Sequence, residues 1–134
     1  MPREPRNPFA FFDAVREVAR VLPDVEESSG PGAPSLKVRG KLLTCPALHK
    51  SAEPNSLVVK IGFDQRAELI AGDPDVYYVT DHYLNYPSVL VRMSNIDHES
   101  LKGLLFSAWR FVTAAKKTKN LGVRKSATAR RTLR

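Results

Sequence analysis

The sequence predicts an α+β fold: an antiparallel β-sheet with the amino- and carboxy-terminal helices packed on one face, a two-layer sandwich followed by a basic tail. Three observations carry this. Near both ends, apolar residues recur at helical spacing. Between them lie short strands that alternate at period two or run through Val, Ile and Leu. The last nineteen residues hold eight cationic side chains and no carboxylate. Two amphipathic helices and a one-sided sheet each need cover, and laying the helices on the sheet supplies it in two layers.

Taken in order, residues 1–8 form a polar, flexible arm. Asn7 is placed to cap the first helix and Pro8 to occupy its first position. Phe11, Val15, Val18, Ala19 and Leu22 form the buried stripe, Phe9 and Phe12 fall off it toward a sheet edge, and Pro23 ends the helix. Residues 27–34, with Gly30, Pro31, Gly32 and Pro34, read as a turn-rich loop. Leu36 and Val38 then alternate with Lys37 and Arg39, Gly40 supplies a turn, and Lys41 starts a return strand through Leu42, Leu43 and Cys45. This is a hairpin with an apolar inner face and a basic outer one.

A polar loop at 47–55 leads to a third strand at 57–61, which carries Lys60. Residues 63–71 form a short helix with Phe63, Ala67 and Ile70 on one face, ended by Gly72 and Pro74. Strands at 76–80 and 88–93 flank the segment 81–87. Asn95 or Asp97 caps the last helix, whose Leu101, Leu104, Leu105, Ala108, Val112 and Ala115 follow the i, i+3, i+4, i+7 rule. Few strong helix formers occur from Thr118 to Gly122, which argues for a break past Lys117; the two readings of the tail are a disordered end and a partly helical continuation. The expected organisation is an arm (1–8), a domain (9–116) and a tail (117–134).

The chain has 134 residues, 43% apolar and 26% charged, with net charge +7. That fits one domain and excludes wholesale disorder. No run approaches the ~18 apolar residues of a membrane span, and the amino terminus lacks the apolar core of an export signal. A lone Cys45 suits a reducing compartment. The expectation is a cytoplasmic protein without membrane contact.

The order of elements and several local sequences resemble one family. Gly32, Pro34, Ser35, Leu36, Lys37, Val38, Gly40 and Lys41 look like the hairpin of the MmcQ/YjbR family. The Leu57-Val58-Val59-Lys60 and Val89-Leu90-Val91-Arg92 strands, the Asp97 helix start and Ser107-Ala108-Trp109 are similar to its later elements. The resemblance covers roughly Phe9 to Lys116. It implies a fold like that of CyaY, the bacterial frataxin, and a "double-wing" DNA-binding role. Here Asp81 to Pro87 stands where the family usually has a Gly-Trp turn.

Charge placement points the same way. The tail holds Lys116, Lys117, Lys119, Arg124, Lys125, Arg130, Arg131 and Arg134; removing these eight from 21 basic residues leaves 13 against 14 acidic ones, a body of net charge −1. A basic tail on a neutral body marks attraction to nucleic acid or an acidic surface. Lys37, Arg39, Lys41, Lys60 and Arg92 are expected on one sheet face, where long cations can reach phosphates. Tyr77, Tyr78, Tyr83 and Tyr86 offer stacking surfaces if exposed. The expected partner is nucleic acid, DNA rather than RNA. The alternatives are a solvated sheet face with half-buried tyrosines, and an interaction module or homo-oligomer built around Trp109, Phe106 and Arg110.

Metal and catalysis are not expected. A frataxin-like iron role needs clustered carboxylates, and Arg16 and Arg20 interrupt the candidate set of Asp13, Glu17, Asp24, Glu26 and Glu27. His49, His82 and His98 lack zinc-ligand spacing. No nucleophile elbow, Walker loop or dinucleotide fingerprint is present, Asp81, His82 and Ser88 lie too close in sequence to be a convincing triad, and Cys45 reads as an inert, buried thiol. No cofactor is expected.

Overall fold

The computed structural model describes residues 9–30 and 32–121, except the side chains of 29, 30 and 115–121. Helix α1 (Phe12–Ala19) follows a turn in which the Phe12 N–H donates to the Phe9 carbonyl at 2.9 Å. Asn7 and Pro8 lie outside the described residues, and the helix begins later than their reading as cap and first position requires. Phe12, expected at a sheet edge, is instead fully buried with Val15, while Phe11 is only partly so. Spacings of three and seven put Phe12 in line with Val15 and Ala19, so the stripe turns toward it.

Strand β1 (Val25–Gly30) occupies what was expected to be a loop. It pairs antiparallel with β2 (Ala33–Val38) from Val25↔Val38 to Gly30↔Ala33, leaving a two-residue connection in which Gly32 has φ +81°. The glycines and prolines there mark a tight hairpin rather than an open loop. Strand β2 continues to β3 (Lys41–Pro46) through Arg39 and Gly40, at φ +52° and +83°, the left-handed pair a two-residue hairpin requires. The register then slips: Lys37 lies opposite Leu42 but Leu36 opposite Thr44. This bulge gives β3 one extra residue. Leu43 and Thr44, adjacent in sequence, are both fully buried, and Leu42 and Cys45 are left partly exposed on the other side.

The rest follows as β4 (Ser56–Lys60), α2 (Phe63–Gly72), β5 (Tyr77–Tyr78), a single 3₁₀ turn at Asp81–Tyr83, β6 (Ser88–Arg92) and α3 (His98–Leu121). Of the two candidate caps for α3, Asp97 serves: its Oδ1 accepts the Ser100 N–H at 2.7 Å. The helix runs past Lys117 to Leu121, the partly helical of the two readings, because residues that differ by only a few tenths of a kcal/mol in propensity do not stop an established helix. Helix α2 buries none of its residues fully, and Phe63, expected on its inner face, is exposed; Leu69 and Ile70 make its contact with the core.

All neighbouring strands are antiparallel, in the order β1-β2-β3-β4-β6-β5. Helices α1 and α3 cover one face. Phe12, Val15, Leu104, Leu105 and Ala108 pack there against Leu36, Leu43, Leu57, Val59, Val89 and Val91. This is the expected α+β two-layer arrangement.

Candidate functional site

The face away from α1 and α3 is not the open, water-facing surface that the sequence suggests. Val58 lies opposite Leu90, and Leu90 opposite Tyr78. Val58 and Leu90 stand outside the helix-covered cluster, yet Leu90 is fully buried. Two irregular segments, 47–55 and 79–87, roof this half of the sheet.

Side chains tie the roof down. The Tyr78 hydroxyl accepts the Glu53 N–H at 2.8 Å and shares a hydrogen bond with Ser56. Arg92 grips both Glu53 carboxylate oxygens at 2.8 Å, lies 4.2 Å over the Tyr78 ring and donates to the Pro74 carbonyl. Such forked, charge-assisted pairs fix geometry as well as adding energy. The Arg92 bond holds the Glu53 carboxyl below its ordinary range. Across the two segments the Ser51 and Thr80 hydroxyls meet at 2.8 Å, and the His49 N–H donates to the Tyr83 hydroxyl at 3.2 Å. The His49 and His82 rings stack with centroids 3.6 Å apart. Partial desolvation, then the charges of His82 and Lys50, lower the His49 pKa. From α2, Arg66 donates to the carbonyls of Leu84, Tyr86 and Ser88, holding the second segment.

The cations expected on this face therefore divide. Arg39 is paired with Asp24 at 2.8 Å and Arg92 is committed to Glu53. Lys37, Lys41 and Lys60 make no ion pair among the described residues. Lys41 and Lys60 line one hollow of about 320 Å³ with Leu42, Pro87, Phe111 and Val112, so the strand lysines meet α3 one turn before Lys116. Lys37 is opposite Leu42 in the hairpin. Lys116, Lys117 and Lys119 fall on the last part of α3, where side chains are not described. Arg124, Lys125, Arg130, Arg131 and Arg134 lie outside the described residues.

The tyrosines also divide. Tyr77 is buried, which raises its hydroxyl pKa, and Tyr78 is bound within the roof. Tyr83 is half-buried, and Tyr86 is exposed. The Trp109 indole N–H donates to the Pro23 carbonyl at 2.9 Å, so Trp109 closes the core edge. Beside it Phe106 is exposed, with the Arg110 guanidinium 5.7 Å from its ring centre. Phe106 and Val21 border a shallow apolar hollow between α1 and α3. Four of the five carboxylates considered for iron are paired: Glu27 and Asp13 hold Arg16, Glu17 meets Arg20 at 3.8 Å, and Asp24 holds Arg39, while Glu26 makes no ion pair among the described residues. Among the described residues, no group of three His, Cys, Asp or Glu side chains could hold a metal ion. No described helix is long and apolar enough to cross a membrane. Cys45 is half-buried; burial pushes its thiol pKa up, and the Lys60 charge offsets part of that rise.

Sequence reasoning missed the roof and its ties. His49 and His82 are 33 positions apart, and nothing in their spacing announces a stack; Arg66 carries no sequence signal of its bonds to carbonyls 18 to 22 positions away.

With this geometry in hand, the chain superimposes on the crystal structure of Deinococcus radiodurans protein DR2400, a DUF419 domain. The TM-score is 0.63, at 21% identity, covering 87% of this chain and 92% of that one. The fold is shared with a DUF419 domain. No family profile matches the sequence. Over 41 residues it is 46% identical to uncharacterised proteins of Mycobacterium tuberculosis and Mycobacterium bovis. That stretch is 31% of this chain and 32% of theirs, so the chain matches about a third of the length of these curated relatives.

Proposed function

We propose that this is a non-catalytic domain of the MmcQ/YjbR type that binds DNA through phosphate contacts from Lys37, Lys41 and Lys60 and from the basic run that begins at Lys116. One observation carries the reading. Lys41 and Lys60, free of carboxylate partners among the described residues, share a hollow with Phe111 and Val112 of α3, one turn before the position in the sequence where the basic run begins. Convergent lysines without base-reading partners favour affinity over sequence preference. The family assignment draws on the hairpin and strand motifs together with the shared fold.

The test is binding of the intact chain to a short duplex across a salt series. The slope of log affinity on log salt is expected to fall by about one unit for each contacting lysine replaced. Lys37→Ala, Lys41→Ala and Lys60→Ala combined, and Lys116→Ala, Lys117→Ala and Lys119→Ala combined, should each reduce it. Absence of binding at low salt, or unchanged slopes, would overturn the proposal. A second reading, a protein-interaction module, has its support in exposed Phe106 and Val21 beside one hollow; it calls for self-association that salt does not weaken.

A further inference from the structure

Two hollows adjoin at the Lys60 end of the sheet and share Leu42 and Lys60; the one described above reaches α3, and the other lies on the loop-roofed face. The second, also about 320 Å³, lies between β3, β4 and the 81–87 segment. Val58 and Cys45 line it from the sheet, and Leu42 and Tyr83 contribute further surface. Leu48 and Tyr86, also in its lining, expose 63% and 55% of their surface. The water-facing side of an antiparallel sheet ordinarily carries polar side chains. Here the positions are apolar, and the β3 bulge strengthens the effect by leaving both Leu42 and Cys45 on this side. Single exposed apolar residues need no explanation, whereas a concave apolar cluster with a convergent polar group is the usual form of a ligand site.

Lys60 supplies that group. It is half-buried, so its stem lies along apolar surface, and it has no ion pair among the described residues. The walls are already in place, because the His49–His82 stack and the Arg66 bonds hold both segments. Such pre-organisation lowers the cost of binding.

We infer that this hollow is a binding site for a small monoanion with a flat apolar body, such as an aromatic carboxylate, its ring against Val58, Leu42 and Tyr86 and its anion at Lys60. One cation at the junction selects a single negative charge, and the volume, at the low end for ligand pockets, selects a small molecule. The site does not depend on the nucleic-acid reading, and its test contains no DNA.

Cys45 reports occupancy. In the intact protein, iodoacetamide alkylation of Cys45, followed by mass spectrometry, is expected to slow saturably as 2-naphthoate is added. The neutral isostere 2-naphthamide should need about tenfold more for the same protection, the usual worth of one charged hydrogen bond. Lys60→Met keeps the stem and should erase the preference for the acid over the amide. Because Lys60 also favours the Cys45 thiolate, protection is compared as a ratio within each variant. Tyr86→Ala, at an exposed position, should weaken both probes while leaving the thermal melt unchanged. No protection up to the solubility limit, equal protection by acid and amide, or a preference that survives Lys60→Met would each overturn the assignment.

Discussion

The sheet is closed by helices on one face and by irregular segments on the other, and the two closures rest on different forces. Under α1 and α3 the contact is apolar and continuous, from Phe12 through Leu105 to Leu43 and Val89. Under residues 47–55 and 79–87, Leu90 is equally buried, but polar ties hold the cover: Tyr78 to Glu53, Arg92 to Glu53, His49 on His82, Arg66 to three carbonyls. A close-packed helix layer resists relaxation. A roof pinned at separate points can move between its pins, whereas His82, Tyr83, Tyr86 and Ser88, which line the hollow beside Lys60, are themselves among the pins. The lesson is that equal burial does not mean equal rigidity.

The most forceful way to break this contrast is to make the same cut on both faces. Leu105→Ala and Leu90→Ala each remove a fully buried leucine. In urea denaturation the helix-side variant is expected to lose about 4–5 kcal/mol and the roof-side variant about 2–3 kcal/mol, since cost rises with the cavity left unfilled. Equal losses would show that the roof is as rigid as the helix layer. A smaller effect should come from Tyr78→Phe, which removes a hydroxyl bonded to Glu53 and Ser56. The expected loss is about 1 kcal/mol. Amide hydrogen exchange should rise in 47–55 and stay unchanged in α3.

The smallest and most selective probe is pH. His49 has a lowered pKa in the fold, so the unfolded chain takes up its proton first as pH drops. The stability held in the histidine stack is therefore complete above about pH 6.5 and is lost as pH falls through the lowered folded value. Proton NMR should find the His49 midpoint below that of an ordinary histidine, and His82→Asn should move it upward. A midpoint at or above the ordinary value would remove the stack from the list of ties.

Helix-side architecture was largely legible. The Leu101–Val112 stripe and the Leu36–Val38 alternation report burial directly, because a helix layer imposes its period on both partners. Strand β1 escaped since Glu26, Glu27 and Ser28 carry no apolar alternation; its place is set by pairing with β2 and by the Arg16 bond to Glu27. The Gly and Pro signals around Gly32 were visible, but they look alike in an open loop and in a two-residue hairpin. Lys37, Lys41 and Lys60 were found because charge is explicit in a sequence. That Arg39 and Arg92 are neutralised was not visible, since Asp24 and Glu53 lie 15 and 39 positions away. The roofed face was hidden for the same reason: no periodicity links 47–55 to 79–87.

The corner between β2 and β3 has a practical side. Arg39 takes a left-handed conformation that costs an ordinary side chain about 1 kcal/mol, and its partner Asp24 does the same at φ +65°. Arg39→Asn relieves one of these and gives up an exposed ion pair of small value. The tip is flanked by Lys37 and by Lys41, which lines a hollow with Lys60. A fluorophore attached there is therefore a sensor of what binds at this end of the sheet, not a neutral label.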